Sequence, residues 1–232
     1  KYLATTPDPV KDQTDFLCQV TPEQLRVLHF PIGHMQKHEV RTIADQFNLA
    51  PAHRKDSQGI CFLGNTTYNS LLEHYLGNKQ GDIVEWETGK VLGQHQGYWY
   101  FTLGQRKGLR LGGGPWFVVN KDIDNNIVFV TRQIENPSQL CNADRFALSD
   151  FHTIATPKLD FVPDHTQIFF KIRHSPEFET GTFSYSPTDN KYIIKSNRSI
   201  QGVAPGQFAV VYLPYDDERK ICLGSGEIAT KL

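Results

Sequence analysis

The sequence predicts an α+β protein whose first part is helical and whose remainder is built from short β-strands. Up to about residue 80, apolar residues recur at helical spacing. Beyond that point, short runs of β-branched and aromatic residues alternate with turn residues. With 232 residues, 39% of them hydrophobic and 21% charged, the chain can bury the core of one large domain or two small ones.

Helices are predicted at three places in the first part. Thr21-Pro22-Glu23-Gln24 has a capping hydroxyl, a proline at the first helical position and a glutamine at the third. Residues 37–47 place Val40, Ile43 and Phe47 on one helical face. Residues 66–76 repeat that pattern and stop at a Gly-Asn pair, which predicts a third helix.

Strands are predicted through the rest of the chain, separated by turn residues. The predicted ranges are 81–86, 116–119, 127–130, 167–173, 180–185, 192–195, 208–212 and 220–228. Residues 122–126, rich in Asp and Asn, predict a hairpin between the second and third of these ranges. Short strands at this spacing indicate a small barrel or sandwich. Residues 133–144, the least patterned stretch, are predicted to link a middle unit to a last one.

Composition excludes several classes of protein. The net charge of −1 gives no global field for nucleic acid, so an RNA surface would need local basic clusters. The four cysteines lie far apart with no CxxC pair, which argues against a structural zinc site and a disulfide scaffold. No apolar run approaches the roughly 18 residues of a membrane span, and no signal peptide is recognisable. We therefore expect a chain that is neither membrane-bound nor secreted, with reduced thiols; its first residue, Lys1, suggests that it begins inside a longer protein.

Cys61 lies in the most distinctive stretch, residues 56–64, which read DSQGICFLG. Gly59 allows a tight turn before the sulfur, and Arg54 and Lys55 precede it with positive charge. Nearby positive charge stabilises the thiolate, the form that attacks and carries sulfur. The alternative is a buried core cysteine, which the local sequence alone favours.

Residues 104–110 form the most basic segment and follow four aromatic residues, 98–101. Arg106, Lys107 and Arg110 beside aromatic rings suit phosphate contact and base stacking. A solvated charged loop next to core aromatics explains the pattern equally well, and both interpretations stay open.

Three further polar positions could contact a nucleic acid. Lys11-Asp12-Gln13 could offer an ammonium, a carboxylate and an amide to a base or phosphate, although the triplet reads first as a helix start. Lys171 and Arg173 alternate along a predicted strand and should share one face, where solvation is the default expectation. Gln207 sits in a predicted turn before a strand, where its amide could read a base edge.

Together these stretches resemble the tRNA-specific 2-thiouridylase family, in order and nearly end to end. The matching blocks are KDQ at 11–13 with Phe-Leu at 16–17, FPIG at 30–33, KDSQGICFLG at 55–64, GQHQG at 93–97, TLGQRKGL at 102–109, PWFVV at 115–119, PGQ at 205–207 and CLGSG at 222–226. The cysteine block and the Gly-Gln-Arg-Lys-Gly-Leu block are the specific ones.

The resemblance implies a domain organisation. Residues 1–63 would be the C-terminal end of an α/β nucleotide-binding domain of the PP-loop ATP pyrophosphatase type, residues 64–138 a mostly-β central domain, and residues 139–232 a C-terminal β-barrel of the kind seen in translation elongation factors. The family's Ser-Gly-Gly-x-Asp-Ser loop does not occur in this sequence. We expect that loop and the family's second catalytic cysteine upstream of Lys1, so that Cys18, Cys141 and Cys222 are structural.

The resemblance also implies a mechanism. The family adenylates the 2-oxygen of the wobble uridine with ATP and replaces it with sulfur from a persulfide on the cysteine matching Cys61. The second cysteine then forms a disulfide with Cys61. Family tRNA contacts match Lys11, Asp12, Gln13, Arg173, His174 and Gln207; the charge of Arg106 and Lys107 adds possible phosphate contacts.

The expected partners follow from the same resemblance. They are the anticodon arm of tRNA, a cysteine desulfurase or sulfur-relay protein, and ATP with Mg²⁺ held mainly by the N-terminal part, with no metal site in this chain. The compartment would be a bacterial cytoplasm, a mitochondrion or a plastid. We expect this chain alone to bind tRNA weakly and not to thiolate it. Two alternatives remain: a non-catalytic RNA-binding module, and a sulfur carrier or redox protein that uses Cys61 without RNA.

Overall fold

The computed structural model describes residues 1–8, 11–54, 67–133, 142–154, 163–172, 177–200 and 203–231. The chain divides into two compact units. The first unit contains residues 1–54 and 142–232, and the second contains residues 55–141. The N-terminal segment therefore packs with the C-terminal strands.

The helices form where the sequence predicts them. Helix α1 is Pro22–Val27 and α2 is Lys37–Gln46, both in the first unit, and α3 is Tyr68–Leu76 in the second. At α1 the predicted capping box is complete: the Thr21 side chain accepts a hydrogen bond from Gln24 N, and the Gln24 side chain accepts one from Thr21 N. Short 3-10 turns occur at Thr14–Leu17 and Tyr98–Tyr100.

A closed barrel of six strands forms the body of the first unit, which confirms the predicted C-terminal β-barrel. Its strands neighbour one another in the order β10-β5-β8-β7-β6-β9. Every neighbouring pair is antiparallel. The strands are β5 Ala143–Thr153, β6 Thr166–Ile172, β7 Glu179–Ser186, β8 Lys191–Ile200, β9 Phe208–Pro214 and β10 Lys220–Lys231. The barrel interior is filled by aromatic and branched apolar side chains, among them Phe146, Phe170, Ile194 and Leu223.

The N-terminal segment covers part of the outer face of this barrel. Backbone hydrogen bonds join Cys222 N to Leu3 O and Thr5 N to Lys220 O, both 2.8–2.9 Å long, so the first residues lie along β10. A second cluster of buried apolar residues packs the N-terminal segment against the barrel. Its members are Leu3, Cys18, Leu25, Ile154, Val210, Tyr212 and Cys222. This packing sets the position of the residues that follow, 11–13.

The second unit is built on a four-stranded sheet with strand order β2-β1-β4-β3. Strands β1 and β4 are parallel, and the other pairs are antiparallel. The strands are β1 Gly81–Glu85, β2 Val91–His95, β3 Phe117–Asp122 and β4 Ile127–Thr131. The predicted hairpin is confirmed, since β3 pairs with β4. Phe101, Leu109 and Trp116 complete the core of this unit.

Two strands were not predicted from the sequence. Strand β2 is short, includes Gly93 and two polar residues, and lies at the edge of its sheet, so its pattern is weak. Strand β5 begins inside the stretch predicted as a linker and carries polar side chains outward, so it lacks a continuous apolar run. That linker prediction is wrong for its last residues, 143–144.

Candidate functional site

An open cleft of about 560 Å³ in the first unit brings Asp12 of the predicted triplet together with Lys171 of strand β6. Thr6, Asp12 and Gln36 line it from the N-terminal segment, and Lys171, Phe178 and Lys220 from the barrel. Residues 3–5 lie along β10, and Leu3, Cys18 and Leu25 pack with Val210 and Cys222 on the barrel's outer face.

Asp12 is buried, with 4% of its surface exposed, and it organises the start of the 3-10 turn. Its carboxylate accepts hydrogen bonds from Thr14 N at 3.3 Å and Thr14 Oγ1 at 3.1 Å. The Thr14 hydroxyl lies 3.3 Å from the buried Tyr212 hydroxyl of β9, which continues the network into the barrel. Burial raises the pKa of Asp12, while the bonds from Thr14 and the charge of Lys171 oppose that rise. The helix-start interpretation of the triplet is thus correct only for a single short turn.

Lys171 is 2% exposed, so the expectation of a solvated strand position is wrong. The N-terminal segment covers this face of β6, and that cover could not be predicted from the strand alone. The Lys171 ammonium lies 4.4 Å from the centroid of the Phe178 ring. The Lys220 ammonium approaches the same ring at 4.7 Å and the Phe169 ring at 4.6 Å. Cation–π contact stabilises an ammonium that has lost water.

Asp8 fixes the triplet from the other side, and nothing in the sequence patterns pointed to it. One carboxylate oxygen accepts from Lys11 N at 2.9 Å, and the other accepts from Lys37 N, in the first turn of α2, at 2.7 Å. Its backbone carbonyl accepts from Asp12 N at 2.9 Å. Negative charge near a helix N-terminus is favourable. Asp8 therefore ties residues 11–12 to α2, with Lys11 and Gln13 on the exposed surface.

Gln207 closes its own turn. Its Oε1 accepts from Ala204 N at 3.2 Å, and its backbone carbonyl accepts from Ile228 N of β10 at 2.7 Å. Gly206 adopts a φ of +85°, which favours glycine at this turn position. The predicted turn before a strand is confirmed, and the Gln207 side chain is half-buried.

In the second unit, the basic loop is pinned by a neutral side chain. The Gln105 amide accepts from Thr102 N and donates to Lys107 O, both at 2.9 Å. Backbone hydrogen bonds between Gly104, Gln105 and Val118 dock the loop on β3. Arg106, Lys107 and Arg110 are exposed, whereas Phe101 and Leu109 lie in the core. The aromatic run thus contributes to the core, and the cations stay at the surface.

Several predicted residues lie outside the described part of the chain: Cys61, Cys141, Arg173 and His174. Cys18 and Cys222 are buried free thiols whose pKa values are raised by burial, which fits a structural role. Within the described ranges, no group of three His, Cys, Asp or Glu side chains could hold a metal ion. No described helix is long and apolar enough to cross a membrane.

Family models match the chain in three consecutive segments. They are a tRNA methyl transferase HUP domain over residues 1–65, a tRNA methyl transferase PRC-barrel domain over 69–132, and an aminomethyltransferase beta-barrel domain over 143–228. These matches and the closed barrel confirm the predicted α+β architecture, with the end of a nucleotide-binding-type domain first and a barrel last.

Similar proteins point to one family name. The chain is 50% identical over 229 residues to tRNA-specific 2-thiouridylase MnmA of Porphyromonas gingivalis, and 51% identical over 227 residues to that of Parabacteroides distasonis. It is 49% identical over 227 residues to tRNA-specific 2-thiouridylase MnmA 2 of Bacteroides fragilis. Each alignment covers 98% of this chain and 62% of the relative. The chain therefore spans about three fifths of the length of these relatives.

Proposed function

The chain belongs to the tRNA-specific 2-thiouridylase family, and on that basis we propose that it acts in the ATP-dependent transfer of sulfur to the 2-position of the wobble uridine of tRNA. The carrying observation is identity of about half over 98% of the chain, through three domains in order. Two family models are named for methyl transfer, and the relatives for thiolation. The Cys61 block favours thiolation because a cysteine thiolate can carry sulfur.

The proposed chemistry has two parts. ATP adenylates the uridine 2-oxygen and pyrophosphate leaves; the terminal sulfur of a Cys61 persulfide then attacks carbon 2, and AMP departs with the oxygen. A second cysteine thiolate attacks the Cys61 sulfur, so that the S–S bond to the transferred sulfur breaks and a disulfide forms. The uridine keeps the sulfur as a 2-thiocarbonyl. Splitting one displacement into covalent steps lowers each barrier.

Within the described residues, the proposed tRNA contacts are the exposed Lys11 and Gln13, on either side of the buried Asp12. Their exposure supports direct contact, while the burial of Asp12 supports a positioning role for its carboxylate. We propose further contacts from Arg173, His174 and Gln207 on the basis of the family resemblance. Arg106 and Lys107 are proposed as phosphate contacts because they are exposed cations on a loop held rigidly by Gln105.

The remaining partners complete the proposal. ATP, with Mg²⁺, would be bound mainly by residues outside this chain, and a cysteine desulfurase or relay protein would supply the sulfur. The chain alone would bind the tRNA anticodon arm weakly and form no thiouridine. Domain limits of 1–63, 64–138 and 139–232 are supported by the matched segments 1–65, 69–132 and 143–228. A cytoplasmic location is proposed from the relatives in Porphyromonas and Bacteroides.

The test is thiouridine formation by the full-length protein, loaded with sulfur by a cysteine desulfurase and given ATP and unmodified tRNA. We expect product from the native protein and from the matched control Cys18→Ala, and none from Cys61→Ala. Thiouridine formed by the Cys61→Ala variant would show that Cys61 is not the persulfide carrier. If the native protein binds tRNA but forms no thiouridine, the chain is a non-catalytic RNA-binding relative.

A further inference from the structure

A row of side chains crosses four neighbouring strands on the barrel. The strand register sets Arg145 of β5 opposite Lys195 of β8, Lys195 opposite Thr182 of β7, and Thr182 opposite Gln167 of β6. Directly opposite residues in a sheet share one face. We call these four residues the basic row.

The basic row faces outward. Each member is followed or preceded in sequence by a residue of the barrel core, and successive side chains along a strand point to opposite faces. Those core neighbours are Phe146, Ile194, Phe183 and Ile168. Arg145, Lys195 and Gln167 are exposed, and Thr182 is half-buried.

The two cations have no counter-charge among the described residues. No hydrogen bond or ion pair involves the side chain of Arg145 or Lys195 there, although Asp144 directly precedes Arg145 in the sequence. By contrast, Arg198 on the same strand β8 makes two 2.6 Å bonds to the Glu179 carboxylate, which neutralises it. The same-face neighbours Ala147, Thr180, Ser184, Ile193 and Asn197 on β5, β7 and β8 are uncharged, and Ala147 and Ile193 among them are buried.

Like charges directly opposite each other on paired strands destabilise a sheet, whereas an opposite-charge pair there would stabilise it. The pairing of Arg145 with Lys195 therefore does not stabilise the barrel. An anion bound between them would remove the repulsion. The N-terminal segment covers the part of the outer face that carries Val210, Tyr212 and Cys222, on β9 and β10.

We propose that the basic row binds successive phosphates of the tRNA backbone. The inference rests on the proposed function, and it adds a contact surface on the barrel wall formed by residues other than Lys11 and Gln13. A guanidinium, an ammonium, a hydroxyl and an amide are the side chains that donate to phosphate oxygens. Three inter-strand steps make the row about 14 Å long, enough to follow a backbone rather than a single phosphate.

The experiment measures the affinity of the full-length protein for unmodified tRNA between low and physiological salt. Each phosphate contact that is lost should reduce the slope of log affinity against log salt by about 0.7–0.9. For Arg145→Ala/Lys195→Ala we expect a slope lower by about 1–2 and at least roughly fivefold weaker binding at low salt.

Two variants serve as controls. Glu179→Gln/Arg198→Gln removes an internally neutral pair from the adjacent strands and should leave affinity and slope unchanged. Arg145→Lys/Lys195→Arg keeps both charges and should bind nearly as the native protein does. Thermal unfolding of each variant checks that the barrel is folded.

The outcomes separate this surface from the proposed function. If the native protein thiolates tRNA while the double-alanine variant keeps its affinity and slope, the basic row is not an RNA contact and the function stands. If the native protein neither binds nor thiolates tRNA, both proposals fail. Equal loss of affinity in the Glu179→Gln/Arg198→Gln control would also overturn the assignment, because it would show a general disturbance of the barrel wall.

Discussion

The two loops proposed to contact RNA are held by different kinds of anchor. Residues 11–13 are fixed by carboxylates: Asp8 joins them to α2, and buried Asp12 joins them to the barrel near Lys171. The loop of Arg106 and Lys107 is fixed by the neutral amide of Gln105. Buried charges couple a loop to the stability of its whole unit, since removing one leaves its partner uncompensated. Removing a neutral anchor is expected to affect only the stability of its own loop.

The largest effect expected from this contrast is at Asp12. Asp12→Ala removes the acceptor of two hydrogen bonds from Thr14. It also removes the negative charge near the buried Lys171 ammonium. We expect a loss of about 2–4 kcal/mol in the free energy of unfolding. Urea denaturation of the full-length protein measures it, and hydrogen exchange of residues 11–17 should accelerate with it. Asp12→Asn, which keeps an acceptor and removes the charge, should lose less; equal losses would show that the carboxylate charge, and not the hydrogen bonds, matters.

Gln105→Ala is the matched change in the other loop. It removes two exposed hydrogen bonds to the backbone, and we expect a loss of about 1 kcal/mol. Hydrogen exchange should accelerate in residues 102–109 and stay unchanged in residues 11–17. Gln105→Glu keeps the acceptor for Thr102 N but loses the donor to Lys107 O, so it should fall between the native protein and the alanine variant. Faster exchange throughout the second unit would contradict a local anchor.

How far these anchors were predictable depends on the sequence distance they span. The Thr21–Gln24 capping box and the β3–β4 hairpin join near neighbours, so local patterns predicted both. The burial of Lys171 depends on a segment near residue 12, far away in the chain, and local polarity predicted the opposite. The order of the motifs identified Lys11-Asp12-Gln13 as candidate site residues. The hydrogen bonds to Asp8 that hold this segment could be found only in the structure.

Burial shifts the pKa values of titratable groups in both units, and for Asp12 and His95 the consequences for stability are opposite. The pKa of Asp12 is raised above 3.8, so the native state holds its proton more tightly than the unfolded state does. That contribution to stability is lost as the pH rises through the raised pKa. In the second unit, burial lowers the pKa of His95 below 6.5, so its contribution is lost as the pH falls through the lowered value.

His95→Gln tests the second of these shifts. The His95 Nδ1 accepts from Gly97 N at 2.9 Å, and its ring packs at 5.4 Å from Phe101, so the neutral ring is the form that fits. We expect the native protein to lose stability relative to His95→Gln as the pH falls below 6.5, by less than the Asp12→Ala loss. Urea denaturation at several pH values measures the difference. A constant difference between pH 5 and 8 would contradict a lowered pKa.

The smallest effect on stability is expected at Arg106 and Lys107. Both side chains are exposed, and the anchor of their loop is the Gln105 amide and the backbone, so Arg106→Ala/Lys107→Ala should leave the unfolding curve within error of the native one. If the loop contacts phosphates, the same variant should bind tRNA more weakly and reduce the salt slope by about 1–2. The Gln105→Ala variant should weaken binding with little change in slope, because it keeps both charges and loses only their placement. If instead the double variant binds tRNA as the native protein does, the loop is a solvated surface. RNA contact would then depend on residues 11–13, the segment that the buried carboxylates of Asp8 and Asp12 hold in place.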